Sequence, residues 1–397
     1  MAWQRILTAG AVVLAATVAV GADEAKPESS SPYGQWKNGP PKDDSYFPIG
    51  VYLQDPKLAS RYKEAGFNLY VGQWNGPTEA DLAELKKQGM PVICDQNAVG
   101  LAHRDDPTIV GWLQADEPDN AQDLPGGNGY GPPISPAEIF KKYEAFRKAD
   151  PTRPVFLGLG QAVAWDRWYG RNVPSGKRDE YAEPQYLKGC DIVGFDIYPA
   201  AGQVPQLTGQ LEYVGLGVER LVKWADGRKI VWNTLECTAI NGKGKATPKQ
   251  IRAEFWMSLV HGSRGILYFV HQMRPESNFN EHALLDDPEN LAAVTAINKQ
   301  AHELAPVLNS PTVADALKVE SSNPAVPVAT MVKKHGGATY VFAVAMKSGA
   351  TDATFALEDL PAGAKVEVLG EDRKIEPADG KFQDHFGDWD AHLYRIK

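Results

Sequence analysis

Short apolar runs recur along the chain at 48–53, 68–71, 91–94, 109–115, 155–159, 192–198, 230–235 and 265–270. Four to eight apolar residues bounded by turn formers read as buried strands. Between several of them lie longer stretches with a helical period. In 55–65, Leu58, Tyr62 and Ala65 share a face and Gly66 is the stop. Thr78 opens the next, with Asp81 as an early acid, Leu82 and Leu85 inward and Gly89 closing it. Ser135-Pro136 caps a helix running to Lys148, and 211–224, 247–260 and 288–304 follow the same pattern. Strands alternating with helices imply right-handed crossovers and a parallel sheet. About eight such units imply closure into a (β/α)8 barrel.

The rhythm changes near Pro306. Runs at 326–332, 339–345, 353–357, 365–369 and 391–396 are short, and turn residues such as Gly336-Gly337 and Ala378-Asp379-Gly380 separate them. This predicts a small antiparallel β-sandwich over 306–397, after a barrel over 48–305. The stretch 161–190, with Trp165, Trp168 and Tyr169, has no strong period and reads as a long loop with a short helix.

The N-terminus reads as an export signal over 1–22. Arg5 supplies positive charge, 6–20 is apolar and small, and Val20-Gly21-Ala22 offers a cleavage site after Ala22. Residues 23–47, rich in Pro, Ser, Gly, Lys and Asp, read as a linker. The mature chain is therefore expected outside the cytoplasm, secreted or periplasmic, without a membrane span. The oligomeric state is open. The net charge of -9 argues against a nucleic-acid partner, because phosphate binding needs a basic face. Ten Trp and fifteen Tyr suit a carbohydrate partner, although about half read as core. Cys94, Cys190 and Cys237 lie in or beside predicted strands and read as buried free thiols, since an odd, sparse count is no disulfide framework.

A barrel of this type works at the C-terminal ends of its strands. Those ends carry Trp74 after the second, Asp95 after the third, Asp116-Glu117 after the fourth, Asp196 and Tyr198 on the sixth, Glu236 on the seventh and His271 after the eighth. Trp232 lies within the seventh. Converging carboxylates, amides and aromatics are costly beside an apolar core unless a ligand or a network uses them. Glycoside cleavage needs one carboxyl that holds a proton and one that stays ionised. Glu117 and Glu236 are the best such pair, each ending an apolar strand. Asp116 and Asp196 are neighbours able to raise a glutamate pKa. Trp74 is a candidate sugar platform, and the loop 119–135 with Tyr130 a candidate cleft wall.

The segments Gly111-Trp112-Leu113-Gln114-Ala115-Asp116-Glu117-Pro118 and Val231-Trp232-Asn233-Thr234-Leu235-Glu236 resemble those of glycoside hydrolase clan A, the retaining β-glycosidases built on this barrel. The resemblance implies Glu117 as acid/base, Glu236 as nucleophile, and Tyr198 as a tyrosine supporting the nucleophile. The other strand-end residues, Trp74, Asp95, Asp116, Asp196, Trp232 and His271, are candidate sugar contacts by their position, and no cofactor is expected. Two positions depart from the clan: Asp116 stands where Asn is usual, and His271 where Trp is usual. Two other readings stay open. A metal enzyme of the sugar isomerase or lyase type would gather Asp95, Asp116, Glu117, Asp196, Glu236 and His271 around a cation, although strong metal motifs are missing. A non-catalytic carbohydrate-binding barrel would keep the aromatics and lose a carboxylate.

Overall fold

The computed structural model describes residues 31–124, 126–127, 129–166, 183–202, 205–358, 360 and 363–397. The expected export signal, the first part of the linker, and Trp168 and Tyr169 lie outside them.

Eight parallel strands form the first sheet: β1 (Ile49–Tyr52), β2 (Leu69–Val71), β3 (Val92–Cys94), β4 (Ile109–Leu113), β5 (Val155–Leu159), β6 (Ile192–Phe195), β7 in two pieces (Ile230–Val231 and Asn233–Glu236) and β8 (Ile266–Phe269). Each pairs with the next in chain order, and β8 pairs with β1. The first piece of β7 pairs with β6 and the second with β8, while a bridge between Asp196 and Thr234 spans the junction. The sheet is therefore a closed ring, the (β/α)8 barrel that the alternating pattern predicts.

Several helices start at side-chain caps. α1 is Ala59–Glu64 and α2 Glu79–Gln88, with a capping box between Thr78 and Asp81 and left-handed Gly89 as its stop. A short α3, Ala98–Ala102, precedes α4, Pro136–Ala149, which Ser135 and Glu138 cap in the same way. Then come α5 (Glu183–Tyr186), α6 (Glu212–Ala225) and α7 (Pro248–Val260), the last boxed by Thr247 and Gln250. α8 (Pro288–Glu303) and α9 (Ala305–Asn309) complete the layer.

Residues 31–47 differ from the expected linker. Tyr33, Trp36 and Phe47 are buried, and Tyr33 and Trp36 join the inward residues of β2, β3, β6 and β8 in one cluster. The Tyr33 hydroxyl donates to Arg264 O at 2.8 Å and accepts from Trp232 Nε1 at 2.8 Å. Three aromatics in a Pro- and Gly-rich stretch were the signal that it packs: composition describes the average, and these side chains decide.

The C-terminal strands are β9 (Leu317–Ser321), β10 (Val328–His335), β11 (Ala338–Ala345), β12 (Thr351–Leu357), β13 (Val366–Val368), β14 (Arg373–Ile375), β15 (Lys381–Phe386) and β16 (Ala391–Ile396). They pair antiparallel in a three-stranded sheet, β9-β12-β15, and a five-stranded sheet, β10-β11-β16-β13-β14. Phe355, Phe382 and Tyr394 pack within the sandwich core. Met331, Phe342, Val344 and Leu393 instead belong to the barrel's outer core. Phe342 stacks on Trp256 of α7 at 5.4 Å between centroids. The sandwich thus shares a continuous apolar interface with the barrel.

Candidate active site

A cavity of about 510 Å³ opens at the C-terminal mouth of the barrel. Strand ends line it: Tyr52 and Leu53 after β1, Trp74 after β2, Asp116 and Glu117 after β4, Asp196 and Tyr198 after β6, Thr234 on β7, and His271 after β8. Asn120, Asp123 and Tyr130 from the loop after β4, and Met273 and Arg274 from the loop after β8, raise the walls.

Asp116 and Glu117 are neighbours in sequence, yet both line the cavity. A strand would send them to opposite faces. The backbone resolves this at Glu117, whose φ of +38° turns the chain into the left-handed region. Such an angle is uncommon outside glycine and concentrates at functional sites. β5 makes room for the turn. A Cβ on Gly160 would lie 2.7 Å from Asn120 Nδ2 and 3.1 Å from Glu117 Oε1, so a larger residue here has to push one of these side chains aside.

Asp196 and Glu117 share a hydrogen bond between carboxyl groups. Burial first, then the charge of Glu117, pushes Asp196 well above the usual carboxylate range. Asp196 Oδ1 is buried with no hydrogen-bond partner. The Tyr198 hydroxyl bonds to Asp196, and the Tyr52 hydroxyl to Asp116. Both phenols are held protonated, chiefly by burial. His271 is neutral, because burial lowers its pKa to about 4, and its Nε2 lies 3.1 Å from Leu53 O.

Three expected site residues do not reach the cavity wall. Glu236 ends β7 as expected but is fully buried. Its Oε1 accepts from Ala200 N at 2.6 Å and its Oε2 from Ala201 N at 2.5 Å, which ties the loop after β6 to the end of β7. The carboxyl of Glu254, on α7, faces it and has no other donor. Burial raises Glu236 to about 7 and Glu254 well above its ordinary value, so this second pair also holds a proton. Asp95 sits beside Gly76 and feels the charge of Lys142 on α4. Trp232 is wholly inside the barrel, at the Tyr33 hydroxyl, where a flat apolar ring is worth more as packing than as a platform.

The strand-end argument missed Tyr52 and Thr234 as lining residues, while Gln161, which follows β5, lines the cavity as one of its amides. Tyr52 was legible as the polar end of β1. Thr234 was not, because only the register of β7 against β8 shows which residues face inward. Among the described residues no three His, Cys, Asp or Glu side chains converge as metal ligands. No described helix is long and apolar enough to cross a membrane.

The fold and the mouth of the barrel define the class: a (β/α)8-barrel protein with a C-terminal β-sandwich. No family model matches the chain, and no curated protein matches it. Among solved structures it is similar to a family 39 glycoside hydrolase from the gut symbiont Bacteroides cellulosilyticus WH2. The identity is 14% and the TM-score 0.52, over 90% of this chain and 83% of that one. A looser likeness, with a TM-score of 0.45 and 11% identity, is to a GH30 endoxylanase from Clostridium papyrosolvens C71, over 92% of this chain and 98% of that one. At such identities the likeness is one of fold.

Proposed function

We propose that this protein is an exported glycoside hydrolase that cleaves β-linked O-glycosyl bonds in oligo- or polysaccharides, with Glu117 as the proton-donating carboxyl. The observation that carries this reading is the hydrogen-bonded pair Asp196–Glu117 inside the barrel mouth, with Asp116 beside it. A glycosidase must keep one carboxyl protonated at working pH next to one that ionises. Here burial and mutual repulsion leave one proton on two carboxyls. That proton passes from Asp196 through Glu117 to the leaving oxygen, and the water that completes the hydrolysis returns one to the pair. Asp116, oriented by Tyr52, is the second carboxylate, facing the sugar carbon as positive charge develops there. The resemblance of Asp116-Glu117-Pro118 to the clan A acid/base segment, and the barrel shared with a family 39 glycoside hydrolase, point the same way. Glu236, satisfied by Ala200 and Ala201, holds the loop after β6 against the end of β7.

The test is a panel of β-glycosides with unactivated leaving groups. Wild type cleaves at least one, and Glu117→Gln loses about 10²–10⁴-fold in kcat/KM, the usual worth of general acid catalysis. Cleavage by wild type with no loss in Glu117→Gln overturns the assignment, and no cleavage of any glycoside overturns the function. Azide separates the second carboxylates. Restored activity in Glu236→Gly with a glycosyl azide product would move that role from Asp116 to Glu236. Export is checked by the mature N-terminus, expected at Asp23.

A further inference from the structure

We propose that Trp74 is a pre-set stacking platform for a pyranose ring at the cavity mouth, so that the substrate is a chain of sugars rather than a single glycoside. This rests on the hydrolase reading and adds the substrate class. Trp74 lines the cavity yet is 47% exposed. An exposed indole normally samples several rotamers, but this one is held on two sides. Its Nε1 donates to Glu281 Oε2 at 3.1 Å, and its ring meets His271 edge to face, at 5.8 Å and 88°. Both supports are themselves anchored. Gln54 Nε2 donates to Glu281 O, and the Tyr62 hydroxyl donates to Gln54 Oε1. His271 Nε2 donates to Leu53 O. Fixing a ring before the ligand arrives removes an ordering cost from binding, which is useful only for a surface that ligand covers.

The surroundings agree. Seven large apolar side chains stand exposed among the described residues, and Trp74, Leu124, Tyr130, Met273 and Phe279 all belong to the rim loops after β2, β4 and β8. Apolar surface concentrated around one opening marks a binding surface. β2 and β4 are separated by β3 in the ring, so Trp74 and Glu117 rise from strand ends roughly 10 Å apart. That spacing leaves room for a ring stacked on Trp74 beside the ring held at Glu117. A substrate of several linked sugars occupies both together.

The experiment compares wild type with Trp74→Ala, Trp74→Phe and Glu281→Ala on β-linked oligosaccharides of two to six units and on the matching aryl monoglycoside. In wild type kcat/KM rises with chain length. Trp74→Ala lowers the ratio of hexasaccharide to monoglycoside at least ten-fold, mainly through KM. Trp74→Phe recovers part of that ratio, and Glu281→Ala loses part of it. A ratio unchanged in Trp74→Ala overturns the proposal while leaving the hydrolase reading intact. Binding gives a readout independent of turnover: the hexasaccharide quenches tryptophan fluorescence in Glu117→Gln, and the change is lost when Trp74→Phe is added. If no oligosaccharide is cleaved by wild type but this quenching occurs, the hydrolase reading fails and the platform stands.

Discussion

Glu117, for which we propose the acid role, has a backbone angle that other side chains avoid. Its left-handed φ costs on the order of 1 kcal/mol relative to glycine, and in return Asp116 and Glu117 face the same cavity. Activity and stability should therefore part company at this residue. Glu117→Gly is expected to raise the unfolding free energy by about 1 kcal/mol while abolishing turnover. A lower melting temperature for this variant would show that the turn is not strained. Glu236 behaves in the opposite sense. A glutamine there keeps one acceptor and turns an amide donor toward a backbone N–H. Glu236→Gln should cost about 1–3 kcal/mol of stability, the usual penalty for a buried group left unmatched. Denaturant titration of the variant measures it, and a loss below half a kcal/mol would contradict the role given to this carboxyl.

At the scale of the elements, β5 is the strand that yields space. Its exit glycine lets Glu117 and Asn120 come within contact of the chain, so Gly160→Ala must push one of them aside. The expected result is a fall in kcat of at least ten-fold with a melting temperature within a few degrees of wild type, because an offset of about 1 Å at a reacting group is costly. Unaltered kcat would place the working carboxyl elsewhere. The joint between α7 and β11 carries the other element-level expectation. Phe342 stacks on Trp256 and belongs to the barrel's own core. Phe342→Ala should cost about 3–5 kcal/mol, as for other buried phenylalanines. Calorimetry should show barrel and sandwich melting in a single transition, and two separated transitions would mean that the interface is only an attachment.

For the molecule as a whole, buried acids dominate the response to pH. Asp196, Glu236 and Glu254 all have folded pKa values above their unfolded ones, Glu236 reaching about 7. A raised pKa means that the folded state binds more protons, so this stability is complete below the unfolded carboxylate pKa and is lost as pH rises through the folded value. Melting temperature should fall between about pH 5 and 8, and a rise across that window would be incompatible with protonated pairs. Lys333 works against this trend only higher up. Burial lowers it to about 7, so its ammonium is disfavoured in the fold and stability is regained as pH climbs from there toward its unfolded pKa.

The barrel was readable in the chain because its signals are local. Eight apolar runs, caps such as Thr78 with Asp81, and stops such as Gly89 each act over a few residues, and physics at that range is written in sequence order. Glu117, Asp116, Asp196, Tyr198, Trp74 and His271 were legible for the same reason, as polar ends of apolar strands. What sequence order could not decide was where a side chain goes after the strand ends. Glu236 was expected at the mouth, but two backbone N–H groups and a glutamate eighteen positions further along the chain claim it. Trp232 read as a core residue first and a sugar contact second, and an N-terminal tyrosine two hundred residues upstream meets it inside the barrel. The pairing of Asp196 with Glu117 joins β6 to β4 at the mouth. Direction, partnership and protonation depend on groups brought together only when the ring closes, so they belong to the tertiary structure alone.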